Sequence, residues 1–150
     1  DPVIDRGRVF ALGKGGRMAS YELNSGQRLW EINIAGISTP AVAGEWVFVL
    51  TDDAKLLCVQ RSSGKIRWIS QLRGYKSEKK KKGAIGWRGP VLAGGRLIAV
   101  NTEGEVWSVA LADGASSLVY DNKERISVPP VVANNMLYIL DDKGRVSAFK

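Results

Sequence analysis

Residues 40–68 read PAVAGEWVFVLTDDAKLLCVQRSSGKIRW: a proline-led apolar triplet, a second apolar run, a polar turn, a third apolar run, and a Ser-Ser-Gly step leading to tryptophan. The apolar runs are too short for helices and are bounded by Gly and Asp turn formers, which reads as strands buried on both faces. The rest of the chain repeats this segment. Setting Pro2, Pro40, Pro90 and Pro130 in register aligns four apolar runs downstream, Val9 to Leu12, Val47 to Leu50, Leu97 to Val100 and Leu137 to Leu140. Gly16, Ala54, Gly104 and Gly144 fall 14 residues after those prolines, and Gly26, Gly64 and Gly114 fall 24 after the first three. A unit of about 40 residues that returns in this way marks a repeat architecture of stacked supersecondary units.

Each unit supplies material for four strands, the last ending in tryptophan where Trp30 and Trp68 stand. A single four-stranded sheet leaves one face wet, and stacking such sheets radially covers it. The predicted fold class is therefore all-β, a β-propeller of about four blades. The blades are expected at about 2–35, 36–72, 86–120 and 126–150, with the last one lacking its outer strand. The prolines are expected at the first residue of their strands, because proline cannot donate to a ladder. Gly16, Gly104 and Gly144 are expected to close tight turns at positive φ. Ala54 at the same place implies either a strained residue or a different turn.

Composition is that of an ordinary globular chain, 45% hydrophobic and 25% charged over 150 residues. The net charge of +7 is concentrated in one place. Between positions 73 and 88, Arg73, Lys76, Lys79, Lys80, Lys81, Lys82 and Arg88 stand against Glu78 alone, in the one large insertion of the repeat. A charge confined to one loop is not the basic face of a nucleic-acid binder, and Tyr75 is the only tyrosine there to stack a base. The four consecutive lysines read as a solvated tip, with docking to anionic lipid as the alternative. Trp87 beside Arg88 has the composition of an interface hot spot, and equally that of a cap closing the insertion onto its blade.

No histidine is present, which removes the usual general base and a common metal ligand. Catalytic, cofactor and metal residues are accordingly expected to be none. Asp52-Asp53 and Asp141-Asp142 read as solvated turns. Cys58 occupies the place held by Ser20, Ser108 and Ala148 in the other units, so it reads as a buried filler without a disulfide partner.

The strings Asn24-Ser25-Gly26-Gln27-Arg28-Leu29-Trp30 and Ser62-Ser63-Gly64-Lys65-Ile66-Arg67-Trp68 resemble the Thr/Ser-Gly-x-x-x-Trp signature of pyrroloquinoline-quinone-like (PQQ-like) propeller repeats. The ending from Asp142 to Lys150 is similar to that of the BamB family, periplasmic lipoproteins of the outer-membrane β-barrel assembly machinery. This resemblance implies half of an eight-bladed ring, corresponding to the C-terminal part of a longer chain. It implies docking roles for Trp30 and Trp68, from which Leu118 departs. It also implies a non-catalytic scaffold at the periplasmic face of the outer membrane, with membrane contact only through an upstream lipid anchor. The partners implied are a BamA-like assembly protein and unfolded outer-membrane clients. Contact is expected through Arg73, Tyr75, Lys76, Trp87 and Arg88. Alternatives are a fragment of a quinoprotein dehydrogenase or of an extracytoplasmic sensor propeller. The dehydrogenases share the repeat but carry an adjacent cysteine pair, which the lone Cys58 cannot supply. The isolated chain, with two blade faces uncovered, is expected to self-associate.

Overall fold

The computed structural model describes residues 1–150 and is built from strands, turns and loops without a helix. The first blade contains β1 (Val3–Asp5), β2 (Arg8–Gly13), β3 (Arg17–Glu22) and β4 (Arg28–Ile32). The second contains β5 (Ala41–Ala43), β6 (Trp46–Leu50), β7 (Lys55–Gln60) and β8 (Ile66–Gln71). A separate hairpin, β9 (Tyr75–Ser77) with β10 (Lys82–Ala84), follows. The third blade contains β11 (Trp87–Ala93), β12 (Arg96–Asn101), β13 (Glu105–Ala110) and β14 (Ser116–Asp121). The fourth has three strands, β15 (Val131–Ala133), β16 (Met136–Leu140) and β17 (Val146–Phe149). Every blade is an antiparallel meander in sequence order.

Strand alternation explains how the blades cover one another. In β6, Val47 and Val49 point to the first blade, where they join Phe10, Met18 and Trp30 in one buried cluster. Phe48 and Leu50, on the opposite face, join Leu97, Ala99 and Val109 of the third blade in another. Because successive side chains alternate faces, a strand apolar at every position is what a sheet covered on both sides requires. Ile98, Val100 and Val106 repeat the device against Ile139, with Leu137 and Phe149 packed alongside.

The turns follow the repeat. Gly16, Gly104 and Gly144 have φ of +89°, +82° and +85°, and Ala54 takes the left-handed conformation itself at +61°. At Gly104 the need is doubled, since an added Cβ would lie 2.5 Å from the Glu124 carbonyl oxygen.

Several expectations are corrected. Pro40 and Pro130 directly precede their strands, whereas Pro90 lies inside β11, where the register with β12 shifts between Arg88 and Val91. That bulge lets the strand carry a residue with no ladder donor. The tryptophans do not end their strands: β4 runs on to Ile32 and β8 to Gln71. The basic insertion, expected as a loop, contributes a hairpin, and its last residues, Trp87 and Arg88, belong to β11. Asp141 is not solvated. It is 4% exposed and accepts hydrogen bonds from the Lys143 and Arg145 amides, both at 3.0 Å. The turn itself buries it, by folding those amides over the carboxylate.

Candidate interaction surface

The interblade contacts fix the geometry from which any binding surface is presented. Trp30 is 8% exposed, donates from its indole nitrogen to the Arg61 carbonyl at 2.7 Å, and covers Gly64 so closely that an added Cβ there would lie 2.8 Å from the ring. Trp68 does the same one blade later, donating to Leu111 O at 2.9 Å over Gly114. Each lock needs three things from the sequence: an indole with a donor, a glycine at positive φ, and a free carbonyl three residues before that glycine. Leu118, at the same repeat position, is 47% exposed. The cause is a displaced bulge. In the first two blades the register shift falls between Ser20 and Tyr21 and between Cys58 and Val59; in the third it falls between Val106 and Trp107. Leu118 is thereby paired with Trp107 and turned from the fourth blade, while Tyr120, opposite Val106, meets the Phe149 ring edge-on at 5.0 Å.

A clasp unannounced by any motif joins the first two blades. Arg61 is buried, with Nη1 2.5 Å from Asp5 Oδ2 and Nη2 donating to Asp5 O at 2.8 Å. The Arg61 guanidinium, then that of Arg6, holds the Asp5 carboxyl below its usual range. Sequence reasoning missed Arg61 because its counterpart in the next unit is Leu111, so the repeat carries no signal for it.

The five expected contact residues do not form one exposed patch. Trp87 is 6% exposed within the cluster between the second and third blades, its ring 6.3 Å from that of Trp107. Its indole nitrogen donates to Arg73 O at 2.7 Å, so Trp87 ties the insertion to the blade. Arg73 and Lys76 are engaged internally, Arg73 with Glu105 at 3.3 Å and Lys76 with Glu103 at 3.6 Å. Tyr75 is half-buried in β9 opposite Ala84. Arg88 points elsewhere, donating to Ser127 O at 3.1 Å and Trp87 O at 2.9 Å.

Arg88 also lines a cavity of about 440 Å³, where β5, β11 and the residue before Pro130 converge. Ile37, Pro40, Pro90, Val91 and Pro129 make the walls mainly apolar, with Arg88 as the charged group. Such a cavity suits an apolar segment carrying an acceptor or a negative charge. No group of three or more Cys, Asp or Glu side chains gathers as a metal site. Cys58 is buried, and burial pushes its thiol up to about 11, which keeps it protonated and unreactive at neutral pH.

A family model described as outer membrane protein assembly factor BamB matches residues 1–70. The outer membrane protein assembly factor BamB of Alkalilimnicola ehrlichii is 27% identical over 153 aligned positions, which cover 100% of this chain and 37% of that one. The crystal structure of BamB from Moraxella catarrhalis superposes with a TM-score of 0.83 at 18% identity, over 99% of this chain and 44% of its own. The chain is thus similar to BamB proteins along its whole length. Its blades match the propeller fold of BamB, and it spans less than half the length of these relatives. The quinoprotein alcohol dehydrogenase PedH of Pseudomonas putida is also similar, 24% identical over 94% of this chain and 24% of its own length.

Proposed function

We propose that this BamB-like chain is part of a non-catalytic scaffold of the outer-membrane β-barrel assembly machinery, working at the periplasmic face of that membrane. The observation that supports this reading is the similarity of the whole chain to the outer membrane protein assembly factor BamB of Alkalilimnicola ehrlichii. The rigid blades present loops to a BamA-like assembly protein, and the free outer edges of the sheets accept a strand from an unfolded client. Arg88 and the apolar wall around it offer the cavity for such a segment, while Arg73, Tyr75 and Lys76 at the hairpin base frame a second contact. Trp87 supports both from inside. A hydrolytic or redox role has little to draw on, because the chain contains no histidine and one buried cysteine.

The test is capture of an immobilised BamA-like barrel protein by the longer protein that contains this chain, with and without Arg88→Ala and Lys76→Ala. Capture by the wild type and at least about a five-fold loss in the double variant are expected, since a truncated interface anchor costs about 1 kcal/mol or more. Absence of capture by the folded wild type contradicts the scaffold reading. Unchanged capture by the variant removes these residues from it.

A further inference from the structure

One feature of the chain is unused by the scaffold: the lysine run at the tip of the β9–β10 hairpin. Lys79, Lys80, Lys81 and Lys82 are all exposed, and none of them takes part in an ion pair. The other charges of the insertion are spent within the fold. Arg73 pairs with Glu105, Lys76 with Glu103, and Arg88 donates to two backbone carbonyls. Glu78, the one acidic residue of the insertion, accepts from the Gly74 and Tyr75 amides at 2.8 and 3.2 Å across the hairpin base. The cations at the base of the insertion are thus paired or hydrogen-bonded within the fold, and the four lysines at the tip are not. The tip is also held in place. Trp87 donates to Arg73 O, and the stem of Lys76 packs against Gly83, where an added Cβ would lie 3.0 Å away.

We propose that this tip docks the chain on a phospholipid bilayer carrying anionic headgroups, independently of the scaffold reading. The choice of occupant follows from side-chain chemistry. Lysine is a compact, strongly hydrated point charge that is depleted from protein interfaces, where arginine and aromatic anchors prevail. The tip has four lysines, no arginine and no aromatic side chain. Nucleic-acid single strands need stacking platforms, and Tyr75 is half-buried in β9, away from the turn. A cluster of hydrated cations on a projecting hairpin matches instead the diffuse negative potential of a membrane surface, where each lysine contributes about five-fold in affinity.

The experiment is sedimentation of the 150-residue chain with vesicles of phosphatidylcholine alone, or with about one third phosphatidylglycerol, at about 50 mM and about 300 mM salt. The chain is expected to bind the anionic vesicles at low salt, to release at high salt, and to leave the neutral vesicles unbound. Replacing all four lysines, Lys79→Gln through Lys82→Gln, is expected to weaken binding on the order of a hundred-fold or more. The melting temperature should stay unchanged, because none of the four lysine side chains makes a hydrogen bond or ion pair within the chain and the backbone pairing of Lys82 with Ser77 is kept. Arg6→Gln with Arg8→Gln, a basic pair on the first blade, is expected to leave binding intact. Binding that ignores headgroup charge, that survives the quadruple replacement, or that falls equally in the Arg6/Arg8 variant overturns the proposal. So does tighter binding to a single-stranded oligonucleotide than to the anionic vesicles.

Discussion

Asp141 joins turn chemistry to the protein interior. Its Oδ1 accepts two backbone amides and its Oδ2 accepts Asn122 Nδ2 at 3.2 Å and Arg145 Nε at 3.1 Å. The Arg145 amide, foremost among these donors, holds the carboxyl below its usual range. A depressed native pKa means that the ionised form is favoured by folding. The resulting stability is complete above the unfolded-state value, near 4, and is lost as pH falls through the lower native value. Asn101 meets two amides of the third blade in the same way, with its Oδ1 3.0 Å from the Glu103 and Glu105 nitrogens. Asp141→Asn is therefore expected to fold, and to flatten the decline of the urea midpoint below about pH 4. Asp5 retains its own contribution there, so some slope remains. A decline identical to that of the wild type contradicts this assignment. The sequence announced the turn through the Asp-Asp pair, but not that Asp141 would be the enclosed carboxylate, since the Lys143 and Arg145 amides of the turn and the Asn122 side chain, 19 positions away, meet it only in the folded chain.

Among elements, the turn between the second and third strands of each blade gives the sharpest contrast. Gly104 combines a left-handed φ with an approach that leaves no room for Cβ, whereas Ala54 already adopts a left-handed φ with its side chain in place. Gly104→Ala is expected to cost about 2 to 4 kcal/mol in urea denaturation, from left-handed strain and backbone overlap together. Ala54→Gly should stay within about 1 kcal/mol of wild type, because relief of strain is offset by a lost buried methyl and a freer unfolded chain. Equal effects at both turns contradict the reading of the Gly104 contact. The strands and glycine turns were legible because proline, glycine and the apolar runs recur at fixed offsets. The hairpin β9–β10 was not, since it occurs once and its three-residue strands carry no periodic pattern. The exchange of Leu118 for Tyr120 was equally hidden, being set by where a bulge falls and not by residue type. Trp87 could be read as either an anchor for a partner or a cap, and its burial depended on Trp107 and the Arg73 carbonyl meeting it in space.

For the whole molecule, the repeated packing leaves two faces without a neighbour. On the fourth blade, Val131, Tyr138, Leu140, Val146 and Ala148 share the side away from the third blade, as their cross-strand pairing requires. On the first, Ile4 and Val9 pair on the side away from the second. Val131 and Val146 are 58% and 62% exposed, and Ile4 is 62% exposed. Apolar faces of this kind favour association, and inside the chain each such face meets the opposite face of the next blade. The 150-residue chain by itself is expected to show a concentration-dependent mass in light scattering, reduced by Val146→Glu. A strict monomer at high concentration contradicts this.

The central claim is that the first three blades are locked in succession by a tryptophan of one seated on a glycine of the next. A double-mutant cycle on Trp30 and Gly64, read by urea denaturation, addresses it most directly. Trp30→Leu and Gly64→Ala are each expected to destabilise by about 2 kcal/mol or more. Together they should cost at least about 1 kcal/mol less than their sum, because removing the indole also removes the overlap created by the new methyl. Strict additivity of the two losses would mean that the indole and the glycine do not touch in solution, and the account of how these blades are held together would be wrong.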